Sequence, residues 1–186
     1  MKEPGLSVLV VEDDSPLRAT LEDFLSDRGL SVTAAKNPSD AVERIQRAGA
    51  PFDVVLTDLI PNGADGVRVF EAARRRTDTT EVVVMSGFST LEATIDLIKR
   101  GAFDYITKPF KLAEIEIVLG KIIERKRLLD ENRKLSERVQ NLYSRLDKLK
   151  DHRDKLDRFA MEINAKLDDH TRKIDQCLEL LHALLG

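Results

Sequence analysis

The chain has 186 residues, 34% of them charged, and a formal net charge of −3, values that are typical of a globular protein. A single cysteine excludes a disulfide framework and a cysteine-based zinc site, and neither half of the chain has the basic excess of a nucleic-acid-binding protein. No apolar run approaches the ~20 residues of a membrane helix, and the start MKEPG lacks the layout of a signal peptide, so we expect a cytoplasmic protein that binds neither nucleic acid nor a membrane.

Five short runs rich in β-branched residues alternate with amphipathic segments up to about residue 111. The predicted strands are 6–11, 31–35, 53–57, 81–85 and 103–107, and the predicted helices between them are 16–28, 38–48, 66–75 and 90–100. Continuous apolar strands separated by helices indicate a doubly wound parallel sheet covered on both faces. Because ligands of such a sheet bind beyond the carboxyl ends of the strands, the residues that follow each strand are the candidates for a functional site.

Polar side chains follow four of the five predicted strands. They are Glu12, Asp13 and Asp14 after the first, Asp58 after the third, Ser86 after the fourth and Lys108 after the fifth. Because clustered carboxylates repel one another, they predict a hard divalent cation with oxygen ligands, and Mg²⁺ suits such a site. Lys108 and Ser86 would then face a second anion with several acceptor oxygens, such as a phosphoryl group. Asp58 is the candidate nucleophile, since an aspartate can accept a phosphoryl group.

Four segments, VVEDD, VLTD, VVVMSG and DYITKPF, resemble in order and spacing the receiver domain of two-component response regulators. The resemblance covers roughly residues 5–124. It implies an α/β fold of the flavodoxin-like type, in which a five-stranded parallel sheet has the strand order 2-1-3-4-5. It also implies phosphorylation of an aspartate by a histidine kinase or a phosphotransfer protein, with Mg²⁺ as the cofactor.

The same resemblance implies a role for each residue of the candidate site. Asp58 would be the phosphoacceptor and a metal ligand, Asp13 a direct metal ligand and Glu12 a metal ligand acting through water, while the backbone carbonyl of Ile60 would complete the metal site. Ser86 would be the switch hydroxyl, Tyr105 the aromatic side chain that turns inward on activation, and Lys108 the phosphate-binding lysine, joined to Pro109 by a cis peptide bond.

The C-terminal segment carries a heptad repeat. From residue 112 to residue 185 there is one glycine and no proline, so the last receiver helix is expected to continue. A set of residues at heptad positions a and d, all apolar except Asn132, forms a stripe that is here called the seam. It consists of Leu128, Asn132, Leu135, Val139, Leu142, Leu146, Leu149, Leu156, Ile163, Leu167, Ile174 and Leu181. This 3,4 spacing predicts a left-handed coiled coil. We therefore expect a receiver domain at residues 1–124 and a coiled-coil helix for dimerisation and output at residues 125–186.

The flanks of the seam leave the orientation of the coiled coil open. Asn132 at position a suits a parallel pair, but in that pair Arg145 would face Lys150, which has the same charge. A hairpin that folds back near residues 150–154 or 168–169 is a further alternative. The apolar tip Cys177–Leu185 is either the sealed end of the coiled coil or a docking surface for a helical protein partner.

These observations predict a response regulator that promotes its own phosphorylation and dephosphorylation at Asp58 and turns over no external substrate. The phosphorylated chain would act on a protein partner through its coiled coil, as a homodimer and without a DNA-binding domain. One alternative is a constitutive coiled-coil scaffold that carries a receiver domain. Another is a fragment of a longer regulator of the nitrogen-regulatory type, because RKRLLDENRKL at residues 125–135 resembles the linker that follows the receiver in those proteins.

Overall fold

The structure is a computed structural model that describes residues 5–58, 64–87 and 91–185. The chain divides into two compact units, Met1–Arg125 and Lys126–Gly186. None of the helices in the described ranges is long and apolar enough to cross a membrane.

Strands and helices alternate along the first unit. The elements are β1 (Ser7–Val11), α1 (Ser15–Asp27), β2 (Ser31–Ala35), α2 (Pro38–Arg47), β3 (Val54–Asp58), α3 (Ala64–Arg76), β4 (Glu81–Ser86), α4 (Leu91–Lys99), β5 (Asp104–Thr107) and α5 (Leu112–Leu185). All nine elements predicted up to residue 107 are present, with ends that differ from the prediction by at most two residues.

The five strands form one parallel sheet in the order β2-β1-β3-β4-β5, which confirms the predicted fold. β1 lies between β2 and β3, and the chain winds outward from it in both directions. In the register of β3 with β4, Asp58 pairs with Met85, and in the register of β4 with β5, Ser86 pairs with Thr107. The last residues of these strands therefore lie along one edge of the sheet.

Alternate residues of the three central strands, β1, β3 and β4, point into two separate hydrophobic clusters, one on each face of the sheet. On one face, Leu9 and Val84 pack with residues of α2, α3 and α4. On the other face, Val10 and Met85 pack with α1 and with the first part of α5, where Ile115 and Ile122 are fully buried. Because both faces are covered, the polar strand ends remain at the carboxyl edge as the place for a binding site.

Local sequence signals explain where the first two helices begin and where two turns occur. Asp14 caps α1, since its Oδ1 accepts a hydrogen bond of 2.7 Å from the backbone N–H of Leu17. Asn37 caps α2 in the same way, and a proline follows each cap at the first or second helical position. Gly29 and Gly101 have φ angles of 80° and 101°, a conformation that glycine adopts readily, and they turn the chain after α1 and α4.

The second unit consists of the continuation of α5. The helix runs through residues 150–154 and 168–169 without a break, so the hairpin alternative is wrong. The continuity agrees with the sequence, since no proline interrupts the helix and Gly120 is its only glycine. The eleven apolar residues of the seam are 44–66% exposed in the single chain.

Candidate phosphoacceptor and metal site

The loop after β1 brings two acidic residues to the edge of the sheet. Glu12 follows the last residue of β1, its backbone N–H donates to the carbonyl of Ala35 at 3.2 Å, and the residue is only 1% exposed. Its Oε1 accepts a hydrogen bond from the backbone N–H of Asp14 at 3.3 Å. Asp13 is exposed, in contrast. The loop therefore holds one buried and one accessible carboxylate side by side.

Asp58 completes a cluster of three carboxylates. It ends β3, the strand next to β1 in the sheet, and is partly buried. One carboxylate oxygen from each of Glu12, Asp13 and Asp58 lies within 4.8 Å of the other two. Three hard oxygen donors at this spacing fit a divalent cation such as Mg²⁺. The structure thus brings together the three side chains that the sequence predicts as metal ligands, whereas the fourth, the backbone carbonyl of Ile60, lies outside the described residues.

Lys108 joins two of these carboxylates. Its backbone N–H donates to the carbonyl of Ser86 at 2.7 Å, which extends the pairing of β4 and β5 by one residue. The next peptide bond, to Pro109, is cis. The Nζ atom donates to Glu12 Oε2 at 2.7 Å and to Asp58 Oδ2 at 2.9 Å. Proline has no N–H to donate, so the pairing of this segment with β4 does not continue past Lys108, the residue whose ammonium enters the carboxylate cluster.

The pKa values of Glu12 and Lys108 are both raised, but for different reasons. Burial raises the pKa of Glu12 above its ordinary value, and the charge of Asp58 adds to that effect, while the hydrogen bond from Lys108 partly offsets it. Burial lowers the pKa of Lys108, but its hydrogen bonds to Glu12 and Asp58 and their charges outweigh burial, so that its pKa ends above the ordinary value. The ammonium is therefore held in its charged form between the two carboxylates.

Arg18 is a site residue that the sequence reasoning missed. From the first turns of α1 its guanidinium donates to the backbone carbonyl of Glu12 at 2.8 Å and to that of Asp13 at 3.3 Å. It also donates to Ser15 Oγ at 3.3 Å. The Arg18 side chain thus stabilises the loop after β1 through its backbone carbonyls. The available signal was an arginine in the helix that follows the acidic residues, but sequence alone does not show that it binds backbone oxygens.

The two remaining predicted residues lie at different depths. Ser86 ends β4 at the same edge as Asp58 and is 3% exposed. Tyr105 lies on β5, the edge strand of the sheet, and is 45% exposed. The structure therefore shows a buried hydroxyl-bearing residue at the site edge and an outward-lying tyrosine two positions before the end of β5.

Comparison with known proteins agrees with this arrangement. The response regulator receiver domain family matches residues 8–119. An NtrX-like response regulator of Rickettsia bellii is 32% identical over 136 residues, which are 72% of this chain and 28% of that protein. The transcriptional regulator NtrC of Escherichia coli is 34% identical over 116 residues, which are 62% of this chain and 24% of that protein.

A solved structure shares the fold. The crystal structure of a response regulator receiver domain protein from Clostridium thermocellum superposes with a TM-score of 0.61 at 26% identity, over 67% of this chain and 98% of that one. The present chain spans less than a third of the length of the two curated relatives. By the family match, the sheet order and the carboxylate and lysine cluster at its edge, the chain belongs to the response regulator receiver family.

Proposed function

We propose that the chain is a phosphorylation-controlled response regulator whose phosphoacceptor is Asp58. The observation that carries the proposal is the position of Lys108 Nζ, 2.9 Å from Asp58 Oδ2 and 2.7 Å from Glu12 Oε2, beside a three-carboxylate cluster suited to Mg²⁺. A nucleophilic oxygen, a cation site and an ammonium in contact are the groups that phosphoryl transfer to an aspartate requires.

The proposed reaction transfers a phosphoryl group from the histidine of a kinase or phosphotransfer protein. A carboxylate oxygen of Asp58 forms a bond to phosphorus, the P–N bond of the phosphohistidine breaks, and the imidazole leaves with the electron pair. Bound Mg²⁺ would supply the charge that offsets the phosphoryl oxygens. Lys108, already in contact with Asp58, would bind one of those oxygens and release its hydrogen bond to the carboxylate. Water later hydrolyses the acyl phosphate, so the chain processes only its own modification.

Ser86 and Tyr105 are proposed as the switch. Ser86 lies at the edge of the site, and its backbone carbonyl accepts a hydrogen bond from the backbone N–H of Lys108 at 2.7 Å. A shift of Ser86 toward the phosphoryl group would therefore be passed directly to the end of β5. Tyr105 on that strand is 45% exposed, which leaves an inward position as its alternative. Phosphorylation would act by favouring the inward position of the Tyr105 side chain over the exposed one.

The output is proposed to be the helix beyond residue 125. Its eleven apolar seam residues are 44–66% exposed in the single chain, and an exposed apolar stripe with this spacing is typical of a helix that pairs in a coiled coil. We propose a homodimer through the seam, with the tip Cys177–Leu185 available to a helical protein partner. The proposed setting is the cytoplasm, where a histidine kinase would supply the phosphoryl group.

A second candidate function is favoured by the relatives. The matched NtrX-like and NtrC proteins extend well beyond the region that they share with this chain, since the match covers 28% and 24% of their lengths. The same receiver and helix would then be the regulatory part of a longer transcription regulator. A constitutive scaffold is the remaining alternative, in which phosphorylation leaves the helix unchanged.

Phosphoryl uptake tests the first proposal. The chain is incubated with Mg²⁺ and acetyl phosphate, and its intact mass is measured with and without EDTA. We expect one phosphoryl group on the wild type, none on Asp58→Asn and none in EDTA. Asp13→Ala should keep the fold and lower uptake, whereas Glu43→Ala, which removes an exposed acid of α2, serves as a control that should phosphorylate normally. Uptake by Asp58→Asn equal to that of the wild type would refute the assignment.

A further inference from the structure

The two sides of the seam carry opposite charge. On an α-helix, heptad positions g and c lie on one side of the a/d stripe and positions e and b on the other. Over residues 131–180 the g and c positions hold seven basic and three acidic residues, and we call this side the basic flank. Its basic members are Lys134, Arg138, Arg145, Lys148, Lys155, Lys166 and Lys173.

The other side is acidic. Over the same span the e and b positions hold five acidic and two basic residues, and we call this side the acidic flank. Its acidic members are Asp147, Asp154, Asp157, Asp168 and Asp175. All the residues of both flanks are exposed, and one uninterrupted helix carries them, so the separation of charge holds along the whole segment.

This separation distinguishes the two ways in which copies of the helix could pair. In a parallel pair the g side of one helix lies beside the e side of the other, so each basic flank meets an acidic flank. In an antiparallel pair g faces g and e faces e, so that basic meets basic and acidic meets acidic. Like charges brought together across an interface disfavour it and select against the wrong partner arrangement.

We propose that the occupant of the seam is a second copy of this chain, paired in parallel and in register. The inference deepens the proposed function and rests on the homodimer named there. Asn132, at position a, supports the same arrangement. In the parallel pair its side-chain amide would meet the amide of Asn132 in the second chain, whereas an antiparallel pair would set it against an apolar residue.

Two contacts between like charges oppose the parallel pair locally, and ion pairs within the helix weaken one of them. Arg153 at position a would meet its own copy, but its guanidinium donates to Asp154 Oδ1 at 2.8 Å and lies 4.0 Å from Asp157 Oδ2. Both partners belong to the acidic flank, so the charge of Arg153 is offset within its own helix and drawn away from the seam. Arg145 facing Lys150 is left as one repulsive pair on each side of the dimer.

The single cysteine of the chain makes the proposal testable by disulfide cross-linking. Cys177 occupies position d and is exposed, and in a parallel in-register pair it lies opposite its own copy, at a spacing that a disulfide can span. Leu135, six heptads earlier, is also at position d. In an antiparallel pair a residue meets its own copy only at the symmetry axis. Since the two positions are ~63 Å apart along the helix at 1.5 Å per residue, an antiparallel pair cannot cross-link both.

The experiment compares three full-length chains with the oxidant diamide, which converts two thiols into one disulfide. They are the wild type, Cys177→Ser with Leu135→Cys, and Cys177→Ser with Ser144→Cys at the outward position f as the control. Disulfide-linked dimer is measured on a non-reducing gel, and mass by light scattering before oxidation. We expect nearly complete loss of monomer for the first two chains and no cross-linking of the control.

The outcomes separate failure of this inference from failure of the proposed homodimer. A dimer by light scattering that cross-links at only one of the two d positions, or at neither, overturns the parallel register and leaves the dimer standing. Strong cross-linking of the f-position control also overturns it, since that result reports random collisions. A monomer before oxidation overturns both the homodimer and the register, and leaves phosphoryl uptake at Asp58 to be judged by its own assay.

Discussion

Replacing Lys108 by methionine tests the charge balance of the carboxylate cluster. The substitution keeps an unbranched side chain of similar length and removes the ammonium that lies 2.7 Å from Glu12 Oε2 and 2.9 Å from Asp58 Oδ2. The Glu12 side chain is fully buried, and those of Asp58 and Lys108 are 13% and 25% exposed. In Lys108→Met the two carboxylates would face each other with no positive charge between them.

The expected loss of stability follows from that geometry. Removing one partner of a buried ion pair lowers the free energy of unfolding by about 3–5 kcal/mol, and since a quarter of the Lys108 side chain is exposed we expect about 2–3 kcal/mol without Mg²⁺. Loss of the Lys108 hydrogen bond also leaves the pKa of Glu12 higher still. A carboxyl whose pKa is raised by folding stabilises the fold below its unfolded pKa and loses that contribution as the pH rises. The deficit of Lys108→Met should therefore be small in acid and grow toward neutral pH.

Mg²⁺ should reverse most of this deficit, because a divalent cation supplies positive charge to the same carboxylates. The assay is denaturant unfolding at pH 7.5 in EDTA and in Mg²⁺, with the Mg²⁺ affinity measured by calorimetry. We expect the difference from wild type to fall below about 1 kcal/mol in Mg²⁺, and the variant to bind Mg²⁺ at least about tenfold more tightly because a competing charge is gone.

A second lysine pair supplies the matched control. Lys121 lies 3.1 Å from Asp104 with its side chain 58% exposed, so Lys121→Met should lower the free energy of unfolding by at most about 1 kcal/mol, equally in EDTA and in Mg²⁺. An unchanged Mg²⁺ affinity in Lys108→Met, or a deficit of the same size with and without Mg²⁺, would contradict the reasoning.

Three further substitutions test other parts of the account. Asp13→Asn should weaken Mg²⁺ binding at least about tenfold in calorimetry, with stability in EDTA unchanged or higher, since it removes an exposed like charge from the cluster; unchanged affinity would show that Asp13 is no ligand. Leu149→Lys should raise the dimer dissociation constant at least about 100-fold in sedimentation, since two buried leucines are lost, while Ser144→Lys at position f should not. Arg145→Glu, which would face Lys150 of the second copy, should raise the thermal midpoint of the dimer by an amount that disappears in 1 M salt, and a lower midpoint would contradict that pairing.

Much of the fold could be read from the sequence because its signals are local. The five runs of β-branched residues all form strands, and those of β1, β3 and β4 are almost fully buried. Ser15–Pro16 and Asn37–Pro38 mark helix starts that the structure shows. Element ends were less well placed. Asp58, for example, belongs to β3 as its last residue, because its pairing with Met85 extends the strand beyond the apolar run.

The site was predictable as a set of residues but not as a set of contacts. Strand order brings the carboxyl ends of β1 and β3 together, and this is enough to place Glu12, Asp13 and Asp58 in one cluster. The bond of Lys108 to the buried Glu12 depends on side-chain conformations at the end of β5, which periodicity does not encode. Arg18 was missed for the same reason, since its partners are backbone oxygens that any sequence possesses.

The C-terminal helix shows a different limit. Heptad spacing predicts a helix and its apolar stripe, and the structure shows one unbroken helix from residue 112 to residue 185. The orientation of a coiled coil depends on how two chains meet, which one helix does not show. The residues at the g and e positions alone left the choice between parallel and antiparallel pairing undecided. The charge carried jointly by the g and c positions and by the e and b positions favours one orientation.

The most direct test of the central proposal, that the receiver controls the helix through Asp58, is light scattering of the wild type and Asp58→Asn in Mg²⁺, each with and without beryllofluoride as a phosphoryl mimic. The account predicts that the mass or the hydrodynamic radius of the wild type changes with beryllofluoride, and that Asp58→Asn stays as it was. If both proteins remain the same fixed oligomer under all four conditions while the wild type still takes up the mimic, the helix is a constitutive scaffold and phosphorylation does not control it.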